Sequence, residues 1–462
     1  MSDVDRFALC AESQAQRAIP LLPVTEATLE SVTGKEPASA AWTQANGFRA
    51  EPGTWLVCPG EEGGVGRVLV GVDPEHAHRG FGALAHALPV GRYRLENTEG
   101  VAVDPAQAAL WWGLGAYRYT AYRTPARTAA EYVVPDEVLE ALRLRLEAVY
   151  GVRDLINTPA GDLMPGQLAA AAHDLAGRFG ARITETVGEA LVEAGYPLVY
   201  AVGRASHHAP RVVELRWGEA GPLVVVVGKG VCFDSGGLDL KNAQGMRLMK
   251  KDMGGAAHAL GLARLIMGRA LPVRLRVLVP AVENAVSGNA LRPGDVIRAR
   301  NGKTVEIENT DAEGRLILAD CLAAAGEAEQ PDLLVDFATL TGAARVAVGT
   351  EMPALFTPGD LLARDLMEQA AAADDPVWRL PLHDEYRYML DSDVADLKNC
   401  STEPYAGAIT AALFLREFVP EGSDWVHLDF MGWNLRERPG HPKGGEAQGL
   451  LGLFAWLESR YG

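Results

Sequence analysis

The stretch Pro222-Leu223-Val224-Val225-Val226-Val227 is apolar at every position and stops at Gly228. A half-exposed strand would alternate polar and apolar residues. An unbroken run marks a strand buried on both faces, as in a parallel sheet. Downstream, strand-like and helix-like patterns take turns. Strands are predicted at 274–279, 304–308, 333–337 and 425–429, and helices at 254–269, 314–327, 408–418 and 449–460. Such alternation implies an α/β domain with a mixed, mainly parallel sheet flanked by helices. Upstream, Val138, Leu139, Leu142, Leu146 and Val149 recur at helical spacing after Pro135-Asp136, which predicts an amphipathic helix to about Tyr150. Asn157–Asp162 is turn-rich, and a further helix is predicted from Pro165. Before the amphipathic helix, strand patterns appear at 54–59 and 67–72 and a helical stretch at 105–113. The organisation predicted is a smaller α/β N-terminal domain over 1–130, a linker helix over 131–152 and a larger domain over 153–462.

Length and composition narrow the class. A chain of 462 residues is too long for one core, so two or more domains are the default. Hydrophobic content of 48% and charged content of 22% fit a soluble globular protein. The formal net charge of -17 repels phosphate backbones, so nucleic acid is not an expected partner. Cys10, Cys58, Cys232, Cys321 and Cys400 are scattered and form no C-x-x-C pair. Neither a disulfide framework nor a thiolate zinc site is expected, and reduced, mostly buried thiols point to the cytoplasm. The opening Met1-Ser2-Asp3-Val4-Asp5 lacks the basic region of a secretory signal, and no apolar run is long enough to span a membrane.

The chemistry gathers at two places. Asn309-Thr310-Asp311-Ala312-Glu313-Gly314-Arg315-Leu316 sets two carboxylates two residues apart with a guanidinium just beyond. Upstream lie Lys229, Asp234, Lys241 and Asp252. Lys229 follows the apolar strand, Asp234 lies in the loop after it, and Asp252 precedes Gly254-Gly255. Asp311 and Glu313 follow the 304–308 strand. Ligands in open α/β sheets sit at the carboxyl ends of strands, so both acid pairs are expected on one sheet edge. Four carboxylates in one pocket repel each other, and two divalent cations would cancel their charge. Carboxylates suit zinc, manganese or magnesium. Beside a dication Lys229 can lose its proton and ligate, Lys241 can stay charged against a developing oxyanion, and Arg315 can hold an anion. The plainer alternative makes Asp311 a helix cap and Glu313 and Arg315 helix-surface charges. A phosphate loop around Lys229, a serine elbow at Ser235 and a thermolysin-like zinc site all lack their motifs. His76 with His78, and His207 with His208, are expected as exposed loop histidines.

Taken together these segments resemble the leucyl aminopeptidase, or cytosol aminopeptidase, family. The 309–316 segment matches the family signature, and Gly228-Lys229-Gly230-Val231-Cys232-Phe233-Asp234-Ser235-Gly236-Gly237 resembles its other hallmark, with Lys241 and Asp252–Gly255 at the family's spacings. Ala201–Arg204, Thr339–Ala343 and Ser392–Asn399 extend the likeness over roughly 150–462. The resemblance implies release of N-terminal residues from peptides by water bridging two divalent metals. It implies Lys229, Asp234, Asp252 and Glu313 around the tighter metal, and Asp234, Asp311 and Glu313 around the exchangeable one. Lys241 would stabilise the tetrahedral intermediate, and Arg315 would hold a bicarbonate acting as general base. Met249, Thr339 and Gly342 would line the pocket for the first side chain. It also implies a homohexamer acting on peptide substrates. One departure stands out: the family's Lys-Gly-Met-Thr type of stretch beside the pocket is here Lys443-Gly444-Gly445-Glu446-Ala447, which removes a methionine and puts a carboxylate next to the pocket wall. Two rivals share the composition: a binding protein built on the same scaffold, and a two-metal phosphoesterase or amidohydrolase.

Overall fold

The computed structural model describes residues 6–60 and 63–462, so the Met1–Asp5 segment discussed above lies outside the described residues. The chain forms two compact units. One runs to Tyr150 and takes in Leu435–Lys443; the other comprises Gly151–Asn434 and Gly444–Gly462. No helix among the described residues is long and apolar enough to cross a membrane.

The first unit is built on a sheet whose strands lie in the order Leu9–Ala11, Glu131–Val134, Arg92–Leu95, Ile19–Val24, Val65–Gly71 and Trp55–Pro59. Neighbours are parallel except the last pair. The helix Pro105–Ala116 begins where Asp104 accepts the Gln107 N–H at 2.8 Å and Pro105 presets the first turn. His76 and His78 are half-buried rather than exposed. The His78 ring lies 5.9 Å from Trp111, so packing accounts for it. His207 and His208 are exposed, as expected.

The predicted linker helix runs from Asp136 to Asn157, past the expected end at Tyr150. Val152 and Ile156 are buried and carry the apolar spacing across Gly151. Pro159 is the first residue that forbids continuation.

In the second unit Leu223–Gly228 is buried at every position and lies between two parallel neighbours, Leu333–Ala338 and Arg274–Asn284. Asp424–Asp429 extends the sheet in parallel beyond Leu333–Ala338, and Arg211–Trp217 closes antiparallel on Arg274–Asn284. Alternation sends Val225 and Val227 into the cluster containing Leu316 and Ile317 of the helix Gly314–Ala325. Gly228 faces the other way, where a Cβ would fall 2.6 Å from Ala256 Cα in the helix Gly254–Gly268. Each buried valine contributes about 1.5–3 kcal/mol relative to exposure, which is why this strand forms the centre.

Two predicted strands need correction. The 274–279 strand continues to Asn284, because Gly230–Asp234 pairs alongside its far end. The 304–308 strand is Thr304–Glu306 and does not belong to the large sheet at all. It pairs with Val296–Arg298 and Leu397–Lys398 in a small separate sheet.

Glu446 does not add charge to a pocket. It is 2% exposed, and Arg153 Nε donates to its Oε1 at 2.9 Å. Asn434 Nδ2 and the Ala447 N–H also donate to it. Gly445 is forced by the same packing, since a Cβ there would lie 2.8 Å from Ile156 Cβ and 2.9 Å from the Arg153 carbonyl. A carboxylate with no side chain exposed is tolerable only with its cation present. Arg153→Met is therefore expected to destabilise this unit by about 3–5 kcal/mol, while Arg153→Met with Glu446→Gln recovers most of that. Denaturant melts of the three proteins check it; equal midpoints for the single and double variants would contradict the pairing.

Candidate metal centre and active site

Lys229 is the first residue beyond the central strand. Its N–H donates to the Phe337 carbonyl at 2.9 Å and its carbonyl accepts from Ala256 at 2.8 Å, so its backbone is held between strand and helix. The side chain points inward. Its Nζ lies 2.6 Å from Asp252 Oδ2 and 3.0 Å from Glu313 Oε1, and donates to the Thr339 carbonyl at 3.3 Å. A Cβ at position 314 would sit 2.4 Å from Lys229 Cε, which explains the glycine immediately after Glu313.

Asp234 ends the strand Gly230–Asp234. Its Oδ1 accepts from the Gly236 N–H at 2.9 Å and from Asn284 Nδ2 at 2.8 Å. Gly236 and Gly237 then take φ of 87° and 67°, a left-handed reversal that favours glycine. The reversal returns Lys241 to the site, with Nζ 2.8 Å from Asp234 Oδ2 and ion-paired to Asp311 Oδ1. Asp252 sits in the short turn Met249–Met253, and its Oδ1 accepts from Thr339 Oγ1 at 2.8 Å.

Asp311 and Glu313 arrive by a different route from the one expected. They follow no strand of the large sheet. The turn carrying them is tied down by Thr310, whose N–H donates to Asp239 Oδ2 and whose Oγ1 donates to the Gly236 carbonyl, both at 2.7 Å. Asn399 adds to this by donating to the Asn309 carbonyl at 2.7 Å. The plainer alternative also fails here. Glu313 and Arg315 are buried, not surface charges, and the helix Gly314–Ala325 has no side-chain cap at its N-terminus.

The charges respond to this confinement. Burial opposes the ammonium of Lys229, but Asp252 and Glu313 outweigh it and hold the group above its ordinary range. Lys241 is treated alike by burial against Asp234 and Asp311. Burial also acts on Asp252, yet Lys229 and Lys251 keep it a carboxylate below its usual range. Burial, with Asp234 adding to it, pushes Glu313 up to about 8 and Asp311 up to about 6. The two lysines thus offset only part of four clustered acids.

The donor set fits a divalent ion. Asp234, Asp252 and Glu313 each offer an oxygen within 4.8 Å of the others. Glu313 Oε2 is buried with no hydrogen-bond partner, and Asp252 Oδ2 and Asp311 Oδ1 meet lysine ammoniums without hydrogen-bond geometry. Buried acceptors left without donors are costly, and an oxygen-rich cluster of this kind suits hard or borderline dications.

The remaining candidates surround this cluster unevenly. Arg315 Nη1 donates to the Asn399 carbonyl at 2.9 Å, and its Nε is buried without a hydrogen-bond partner. Met249 shares the turn of Asp252. Thr339 is a support for Asp252 as well as a neighbour of Lys229. Gly342 opens the helix Gly342–Val348 and is exposed. Sequence reasoning missed Asn284, Asp239 and Asp429. Asp429 fixes the Thr339–Gly342 bend by accepting from the N–H groups of Leu340 and Thr341 and from Thr341 Oγ1. Nothing local in sequence marks Asn284, which lies beyond the predicted end of its strand.

Comparison with known proteins gives the family of the chain. Residues 151–453 match the cytosol aminopeptidase family, catalytic domain, and residues 19–135 match the M17 aminopeptidase, N-terminal domain. A relative from Nocardia farcinica named "Probable cytosol aminopeptidase" is 39% identical over 439 residues, covering 89% of this chain and 86% of that one. The crystal structure of a cytosol aminopeptidase from Coxiella burnetii superposes with a TM-score of 0.95 at 46% identity, covering 98% of this chain and 100% of that one. The bottromycin maturation enzyme BotP in complex with Mn superposes at 0.84 and 36% identity, covering 96% and 99%. With both family domains matched in order and the acid cluster assembled, this chain belongs to the cytosol aminopeptidase family, metal-dependent exopeptidases that hydrolyse peptides.

Proposed function

We propose that this chain removes the N-terminal residue of peptides by attack of a water bridging two divalent metals. The observation that carries this reading is the acid cluster: Asp234, Asp252 and Glu313 are buried with oxygens within 4.8 Å of one another, Asp311 stands half-buried beside them, and Asp252, Asp311 and Glu313 each keep one oxygen without a hydrogen-bond donor. Lys229, Asp234, Asp252 and Glu313 would hold one ion; Asp234, Asp311 and Glu313 would hold the other. When bound, such ions lower the pKa of a shared water toward neutrality and polarise the scissile carbonyl. Zinc and manganese both suit the donor set, and magnesium is the harder alternative.

The chain's own groups do the rest. Lys241 is the more accessible of the two paired lysines, with 15% of its side chain exposed against 3% for Lys229. It keeps its proton because Asp234 and Asp311 flank it, and it would turn that charge on the tetrahedral oxyanion. Arg315 would hold bicarbonate, the general base, with its planar fork. Met249, Thr339 and Gly342 would line the pocket for the first side chain. The homohexamer and the cytoplasmic location belong to the same reading, and five cysteines with no disulfide among the described residues are in keeping with the latter.

Asp234→Ala and Glu313→Ala are each expected to lower hydrolysis of an aminoacyl anilide at least about a thousandfold, and to bind fewer metal ions per chain by elemental analysis. Arg315→Ala should lose only roughly ten- to hundredfold, since water replaces part of the anion's work, and should keep its metal. Folded Asp234→Ala protein with near-normal turnover would refute the ligand assignment.

Metal uptake should also be proton-coupled. A carboxylate raised to about 8 still carries its proton at neutral pH, and Lys229 carries its own, so a metal must displace both. Affinity then rises with pH through about 8. Calorimetry with Mn on chelator-treated protein is expected to show at least about tenfold tighter binding at pH 8 than at pH 6.5, with protons released. A pH-independent affinity would contradict this.

A further inference from the structure

Two cations beside the bend Thr339–Gly342 lack the partner their burial demands. Lys251 is completely buried, and its ammonium has no hydrogen-bond partner. The ion pair it makes is a long one, 3.9 Å to Asp252 Oδ1, and that oxygen already accepts from Thr339 Oγ1 at 2.8 Å. Asp252 is further engaged by Lys229 at 2.6 Å. Arg345, on the helix Gly342–Val348, is half-buried. Its Nη1 donates to the Met431 sulfur at 3.5 Å, a weak acceptor, and its Nη2 lies 3.3 Å from where a Cβ on Gly342 would stand. No acid lies within ion-pair distance of Arg345 among the described residues. Asp429, the remaining carboxylate that acts on Lys251, is spent on the backbone of Leu340 and Thr341 and on Thr341 Oγ1.

We infer that Arg345 and Lys251 make the pocket for the substrate's first side chain selective for an acidic residue, aspartate or glutamate. This deepens the aminopeptidase reading above and rests on it, including the placement of Met249, Thr339 and Gly342 around that pocket. The geometry links both cations to those residues. Lys251 shares the Met249–Met253 turn with Met249, and Arg345 covers Gly342. Burying an ammonium whose one ion pair is long and already shared is unfavourable, and a ligand carboxylate entering between it and the Arg345 guanidinium gives Lys251 a close partner and Arg345 a stronger acceptor than the Met431 sulfur. A leucine side chain in the same space would leave Lys251 with its long pair to Asp252 and Arg345 with only a sulfur acceptor. Glu446 cannot supply the missing anion, because Arg153 and Asn434 hold it.

The test is a panel of aminoacyl anilides with metal-loaded protein, together with calorimetric binding of free aspartate and free leucine. Wild type is expected to turn over the aspartyl or glutamyl substrate with kcat/KM at least about tenfold above the leucyl one. Arg345→Leu and Lys251→Met should each reduce that acidic-to-leucyl ratio at least about tenfold. Arg345→Glu should shift preference toward lysyl or arginyl substrates. A wild type that favours leucine overturns the inference without touching the aminopeptidase reading, as does an acidic-to-leucyl ratio unchanged in Arg345→Leu. If no aminoacyl substrate is hydrolysed, the aminopeptidase reading fails. In that case, tighter binding of aspartate than of leucine supports the cationic pocket, and equal binding sinks it.

Discussion

Three buried carboxylates, with a fourth, Asp311, half-buried at their side, are the constraint that the second unit is organised around. Their mutual repulsion would drive the segments carrying them apart. Lys229 and Lys241 oppose that by standing between acids that come from distant parts of the chain: Asp252 with Glu313, and Asp234 with Asp311. Each lysine therefore fastens two loops as well as two charges. The backbone supports the arrangement where side chains cannot. Asp234 takes the Gly236 N–H, and Lys229 gives its own N–H to the neighbouring strand.

The packing of the fold follows from giving those lysines and acids a fixed place. The central strand is apolar on both faces so that helices can press on it from either side. Small residues at the contact, Gly228 against Ala256 and Gly314 against the Lys229 stem, bring the helix starts close enough to contribute Asp252 and Glu313. A Cβ at either glycine would stand 2.4–2.6 Å from those atoms, so the helix start or the lysine stem would have to give way and carry an acid or its partner with it. The apolar core thus sets distances in the polar site, although no core side chain carries charge.

Much of this was legible from sequence because the informative residues are contiguous. Asp311, Glu313 and Arg315 lie within one short segment, and the run ending at Gly228 announces its own burial. What stayed hidden depends on contacts between residues far apart in the chain. Arg153 neutralises Glu446 from the other end of the unit, so a lone glutamate in a loop looked like a pocket charge. The Thr304–Glu306 strand has the pattern of a sheet member, and only its partners reveal which sheet. Asn284, Asp239 and Asp429 act through backbone groups brought to them by the fold, and no spacing rule marks such residues. Lys251 and Arg345 are similar: the long, shared ion pair of one and the sulfur acceptor of the other show only in three dimensions.

The path of the chain near its end has a consequence of its own. Between Asn434 and Gly444 the polypeptide departs to join the first unit, and the two points of departure and return are zipped together, Trp433 opposite Gly445 and Asn434 opposite Gly444. That short ladder works like a clasp. Rewriting the excursion therefore disturbs the first unit, where the Gly440 N–H donates to the Gly82 carbonyl at 3.1 Å and the His441 ring lies 5.4 Å from Trp111, while its two ends stay fastened by the ladder. A change in the excursion is thus felt first by the sheet-and-helix packing it joins, at Gly82 and Trp111, and the ladder holds its two ends in register.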